Sequence, residues 1–265
     1  MTAFRLELRR CRSLGAWLAI SVAAYGAIIG VMYPVLKAND ALMAEYMHTF
    51  PKEFLAAFGM TGVLSDPGVL FTTYIASWLW PIIATAAALL LGTRAVAADL
   101  DRGFLDLPLA TPLSRTRYLA TNIAAQALVM AGLAAAAVLG LWLAAAATGN
   151  VFDLGAYALA GLLSFAFGCA IAGPTTLLSV ATLSRGRASG IVGGVIFAMY
   201  AIFVVTQVSR DWAWLAPLSA WDHFRTTALI DEGVAPVGDL ALFAIVALGG
   251  WIAALWAFRR RDLAA

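Results

Sequence analysis

Charge is what this sequence has least of. Asp, Glu, Lys and Arg make up 12% of its 265 residues, 63% are hydrophobic, and the mean hydropathy is +0.88. A soluble domain carries about 25% charged residues. Too little polar material is present to cover a water-facing surface, so a soluble fold is excluded. Lysine is scarcer still. Of 17 basic residues only Lys37 and Lys52 are Lys. Heavy Arg and Ala usage points to a GC-rich bacterial genome. Neither lysine stands in a Gly-Lys-Ser or Gly-Lys-Thr context, which excludes a phosphate-binding loop of that kind. The two cysteines, Cys11 beside an Arg cluster and Cys169 in an apolar run, give no disulfide framework and no metal-ligand spacing.

What is present is long apolar runs. Crossing about 30 Å of hydrocarbon takes about 20 predominantly apolar residues. Six charge-free windows meet that length: 14–36, 68–93, 118–147, 155–184, 188–208 and 240–258. The first is too long for a signal-peptide core and ends in no small-x-small cleavage pattern, so it reads as a retained span. Backbone groups in lipid need internal partners, and these runs lack barrel alternation, so each is expected to be helical. The expected fold is all-α, a polytopic bundle of six transmembrane helices forming a single transmembrane domain over 1–265.

The basic residues orient it. Thirteen of 17 lie before the first span, between spans two and three, between four and five, or after the sixth. By the positive-inside rule this side is cytoplasmic, with both termini on it. Ten of the 15 acidic residues lie on the other side. The placement of basic residues serves topology, and no nucleic-acid partner is expected.

No span carries Asp, Glu, Lys, Arg or His in its interior, and both histidines, His48 and His223, fall in outside loops. Ion-coupled transport and haem ligation usually need such groups in the membrane, and intramembrane hydrolysis needs a base beside a nucleophile. An active site within the chain is not expected, nor is a resident cofactor or metal. Asn122, Gln126, Thr175, Thr176 and Gln207 read as helix-to-helix hydrogen-bonding groups. Gly186, Gly190 and Gly194 recur every fourth residue, a pattern that lets a helix approach closely, either within the bundle or at a dimer or gating contact. Pro81 and Gly173-Pro174 predict kinks in spans two and four.

Three segments do not span. Over 2–13, Phe4, Leu8 and Cys11 share one helical stripe and Arg5, Arg9 and Arg12 the next. That is either an interfacial helix on membrane lipid or a basic flank that fixes topology. In the cytoplasmic loop 94–117, Val96, Leu100, Phe104 and Leu107 share a helical face that Pro108 ends, while Thr111 and Pro112 look like the cap and first residue of the next helix. A short amphipathic helix with Asp99, Asp101 and Asp106 fits a protein groove better than anionic lipid. Outside, 209–239 interleaves Trp212, Trp214, Trp221 and Phe224 with polar residues, as in a partly re-entrant aromatic hairpin. The first outside loop gathers Met43, Met47, His48 and Met60 among aromatics. Their irregular spacing reads as amphipathic packing rather than a soft-metal site.

The loop between spans two and three resembles that of the permease subunits of type-2 ATP-binding-cassette exporters. In that pattern acidic residues precede Arg-Gly, a Leu-rich stretch and a Pro-x-Ser-Arg element. Here Asp99, Asp101, Arg102, Gly103, Leu105, Leu107, Leu109, Pro112, Ser114 and Arg115 stand in those places. Asp99 and Asp101 stand where Glu is more usual, and Phe104 where Thr is common. The stretch Leu215–Phe224 is similar to the Leu-x-Pro segment these proteins place before the last span. The resemblance implies a non-catalytic subunit that pairs with a second permease, identical or paralogous, and with a separate ATPase carrying ATP and Mg. The ATPase would dock at the coupling residues Asp99, Leu100, Asp101, Arg102, Gly103, Phe104, Leu107, Pro108, Pro112 and Arg115. By the same analogy spans two and five line the pathway, so Tyr74, Trp78, Phe197 and Tyr200 are candidate substrate contacts. The absence of fixed charge in the spans favours an amphiphilic cargo leaving through a bacterial inner membrane. A non-transporting scaffold subunit and a secondary transporter are the alternatives.

Overall fold

The computed structural model describes residues 2–57, 60, 62–101 and 114–260, and among them there is no strand. Helix α1 covers Thr2–Ala38, α2 Asp40–Met47 and α3 Lys52–Ala57. Helix α4 (Pro67–Phe71) leads through a π-helical turn (Thr72–Ala76) to α5 (Leu79–Thr93), then a second π-helical turn (Arg94–Ala98) and the short α6 (Asp99–Asp101). There follow α7 (Arg115–Ala147), α8 (Leu154–Thr182), α9 (Arg185–Val208), a 3₁₀ segment (Arg210–Leu218), α10 (Thr226–Asp231) and α11 (Val237–Arg260).

The helices α1, α7, α8, α9 and α11 are each long and apolar enough to cross a membrane. The α4–α5 pair supplies a sixth crossing if counted as one span, bent by 42°. All six apolar windows are therefore helical. Residues 2–13 and the first span form one uninterrupted helix, with Glu7 and Cys11 turned inward and Arg5, Arg9 and Arg12 outward. Helix starts follow capping chemistry. Ser114 accepts from Arg117 N, Asp153 from Gly155 N and Ala156 N, and Ser184 from Arg187 N. The described part of α7 thus begins with Ser114 as its cap; the cap and first residue expected from the sequence, Thr111 and Pro112, lie outside the described residues.

Lipid offers no hydrophobic drive for one apolar helix to leave it for another, so association rests on close packing and polar contacts. Small residues sit where the backbones meet. A Cβ on Gly30 of α1 would collide with Leu141 O of α7, and one on Gly140 of α7 with the Ala23 backbone of α1. Gly173 of α8 and Gly250 of α11 meet in the same way, and α8 continues as helix through Pro174. A Cβ on Gly92 of α5 would meet Thr175 of α8. Between α7 and α8, Thr176 Oγ1 donates to Gln126 Oε1 over 3.0 Å, the helix-to-helix role expected of these two side chains.

Burial orders the bundle. Half of the α8 span is buried but only 11% of the α9 span, so α8 is central and α9 peripheral. The glycine repeat Gly186, Gly190 and Gly194 lies on that peripheral helix, and a Cβ at any of the three meets nothing within 4 Å. The reading of those glycines as packing within the bundle is corrected here: Gly26, Gly30 and Gly140 carry internal packing instead. At one end of the bundle Val96, Tyr118, Val180 and Phe258 form a small core, and Arg10 and Tyr118 meet on Asp99 beside it, so the start of α1 and the end of α11 lie at the same end.

Candidate functional site

The second span is broken where the sequence predicts, and the local chemistry explains how. Pro81 has no N–H and cannot donate to the Ser77 carbonyl four residues earlier. That carbonyl accepts instead from the indole Nε1 of Trp221, at 3.1 Å. Trp221 is buried in the aromatic segment between α9 and α11, where its ring meets Tyr200 at 5.3 Å and Phe167 at 5.7 Å. This segment is therefore fastened into the bundle through Trp221 and Phe224, while Trp212 and Trp214 remain exposed.

Beside this break a groove of about 420 Å³ lies between α5 and α9, lined by Trp78, Pro81, Ile82, Thr85, Leu89, Gly193, Ile196, Phe197, Tyr200 and Trp221 among others. Trp78, Phe197 and Tyr200 share this wall. Tyr74 lies in the preceding π-helical turn, half-buried and not in the lining. No lining residue is charged. Sequence reasoning missed Thr85, whose Oγ1 is buried without a partner among the described residues. Phe197 is 73% exposed at the rim. The groove can take an apolar or amphiphilic body.

A second cavity, about 370 Å³, lies between α8, α9 and α11 beneath the 3₁₀ segment, with His223 in its wall. The His223 ring nitrogens face Asp239 Oδ1 at 2.9 Å and Pro217 O at 3.0 Å, and Arg225 Nη2 donates to Asp239 Oδ2 at 3.0 Å. Among the described residues no three His, Cys, Asp or Glu side chains gather as a metal site.

At the other end of the bundle lies the start of the loop between α5 and α7. Asp99 is 1% exposed. It accepts from Arg10 Nη1 at 2.9 Å and Nη2 at 2.7 Å, and from Tyr118 Oη at 2.8 Å. Arg10 also donates to Glu7 Oε2 at 3.2 Å, and Arg94 Nη1 donates to Arg10 O at 3.0 Å. Asp99 is thus an internal strut joining α1, α6 and α7, with its carboxylate turned away from the surface. The second π-helical turn has an equally local cause. Ser179 Oγ of α8 accepts from Ala97 N at 3.1 Å and donates to Thr93 O at 3.2 Å. It stands between the donor and acceptor of one ordinary helical bond, and an inserted side chain of this kind distorts the ladder. Leu100 is half-buried against the small core, and Arg115 is half-buried at the start of α7. Asp101 ends α6, while Arg102, Gly103, Phe104, Leu107, Pro108 and Pro112 lie outside the described residues.

These features define a class: a multi-pass α-helical membrane protein with a charge-free groove at one helix break and a buried polar junction at the base of one loop. Residues 3–263 match the family described as ABC-2 family transporter protein, and the chain belongs to that family. No curated protein matches it. It is a membrane protein of transport. The family is typically the non-catalytic transmembrane component and implies association with an ATP-binding-cassette component.

Proposed function

We propose that this chain is the permease subunit of an ATP-driven exporter in a bacterial inner membrane. It pairs with a second permease, identical or paralogous, and with a separate ATPase that binds ATP and Mg, and it moves an amphiphilic substrate out of the cytoplasm. The observation that carries this reading is the α5–α9 groove: uncharged, built on a broken span, and flanked by a helix whose glycine face meets nothing among the described residues. A groove with one open side calls for a second wall, and a second permease supplies it. The absence of charge suits an amphiphile.

Energy enters from the partner. ATP-driven closure of the ATPase pushes on the loop 94–117, with Leu100, Phe104 and Leu107 as the docking face. The Arg10–Asp99–Tyr118 junction passes the displacement to α1 and α7, and Ser179 passes it to α8. Asp99 acts inside this device as a positioning residue rather than by touching the ATPase.

Co-purification tests the coupling. The wild-type chain is expected to carry its ATPase through purification, and the pair Leu100→Asp with Phe104→Asp to lose it. A wild-type chain that purifies alone, with no ATPase encoded beside its gene, overturns the proposal in favour of a scaffold role. Transport that survives ATP depletion but collapses with the ion gradient overturns it in favour of a secondary transporter.

A further inference from the structure

A third concavity, about 600 Å³, lies in the first outside loop. Three of the chain's seven methionines, Met43, Met47 and Met60, line it with His48. Their spacing along the chain is irregular, which hides them as a group. The fold removes the irregularity. Met43 and Met47 stand one turn apart on α2, and His48 follows as the residue that ends that helix. Met60 returns to the same wall from beyond α3, its N–H donating to Leu55 O at 2.9 Å.

We infer that this pocket is a binding site for one soft monovalent cation, Cu(I) or Ag(I), held by the thioethers of Met43, Met47 and Met60 and the imidazole of His48. Thioether sulfur is a useful ligand only for soft ions, whereas Mg, Ca and Mn call for carboxylates and carbonyls. Among the described residues the lining holds a single carboxylate, Asp40, and it already accepts from Ser65 Oγ at 3.1 Å. The imidazole of His48 is exposed and has no hydrogen-bond partner among the described residues. Lys52 on the same wall opposes a second positive charge, which favours a monovalent over a divalent ion. Phe50, Leu55 and Leu64 supply the apolar surroundings in which a thioether competes with water. Methionine is unbranched with three rotatable bonds, so side chains on one wall can converge on a central ion. This site lies apart from the α5–α9 groove and does not depend on the proposed exporter role.

The test is titration of the purified full chain with Ag(I) in chloride-free buffer, and with Cu(I) against a chromogenic chelator. The comparison protein carries Met43→Leu, Met47→Leu and Met60→Leu together, which keeps apolar bulk but removes sulfur. Cys11 and Cys169 are common to both samples, so the difference reads the pocket. The expected result is one additional ion per wild-type chain, with affinity at least about tenfold above that of the triple variant, a change worth about 1.4 kcal/mol. His48→Gln is expected to weaken binding less. X-ray absorption on the loaded wild type is expected to show a sulfur-dominated shell with one nitrogen, and this reading stands even if the triple variant fails to fold. Equal uptake by both proteins, or an oxygen and nitrogen shell without thioether sulfur, overturns the site and leaves the methionines as packing.

Discussion

The indole N–H of Trp221 donates to the carbonyl of Ser77, the acceptor that Pro81 leaves without a helical donor. One residue of the segment between α9 and α11 thereby completes the hydrogen bonding of a broken span. In lipid an unpaired carbonyl is costly, so the break and this segment depend on each other. Trp221→Phe keeps the ring but removes the donor and is expected to cost about 1–3 kcal/mol. In a Pro81→Ala background, where residue 81 regains its own N–H, the same change is expected to cost less than half as much. Denaturation of the four proteins in detergent gives the coupling energy, and strictly additive effects would sink the interpretation.

The Arg10–Asp99 pair is bidentate and buried on the Asp99 side. Removing one partner of such a pair strands the other charge, at about 3–5 kcal/mol. Asp99→Ala and Arg10→Met are each expected to destabilise by that order, and the double variant by clearly less than their sum. Tyr118→Phe, losing one hydrogen bond to a charged group, is expected to cost about 1.5–3 kcal/mol. Thermal melting measures all four. Coupling of ATP hydrolysis to transport is expected to weaken in Asp99→Asn while the ATPase still co-purifies.

Glycines on two helices look alike in sequence and are expected to respond oppositely. Gly140→Val drives a side chain into the Ala23 backbone and is expected to prevent stable folding. At Gly190 an added Cβ meets nothing within 4 Å among the described residues, so Gly190→Val is expected to be accommodated. Its expected effect on the melting temperature of a monomer is small, with loss of permease pairing measured by cross-linking or native mass spectrometry.

Acidity gives a further handle outside the spans. Burial raises the Asp231 carboxyl above its ordinary value of 3.8, with the Gly68 N–H pulling it down and Asp66 adding to the rise. A raised value in the folded state means that this contribution to stability is full below about pH 3.8 and is lost as pH rises through the raised value. Asp231→Asn keeps an acceptor for Gly68 N, now at 2.7 Å, without the charge. It is expected to melt higher than wild type at pH 7, by less than about 3 °C. The two melting curves should converge as pH falls towards 3.8. A lower melting point for the variant at pH 7 would contradict the sign.

The spans were legible because lipid is a demanding solvent. A charge-free run of about 20 residues has few alternatives to a helix. The break near Pro81 was legible for a covalent reason, the missing N–H. Ser184 and Asp153 likewise cap the helices they precede through short local contacts, which sequence neighbours can make by themselves.

Contacts between distant segments were decided only in three dimensions. Nothing in residues 72–85 announces that Trp221 will supply the donor for Ser77, that Ser179 will enter the ladder between Thr93 and Ala97, or that Thr85 will keep its hydroxyl free. Asp99 read as a surface acid beside Asp101 and Arg102 until Arg10 and Tyr118 closed over it. Helical periodicity reports which residues share a face, but not which face meets another helix. The α1–α7 crossing took Gly26, Gly30 and Gly140, while the more conspicuous glycine stripe on α9 was left outward. The amino-acid order by itself determined a helical membrane chain with six charge-free windows, because transfer of charge into hydrocarbon forbids almost everything else. The tertiary structure decided which glycines pack, which polar atoms pair and where the groove opens, because those depend on geometry between residues up to 163 positions apart.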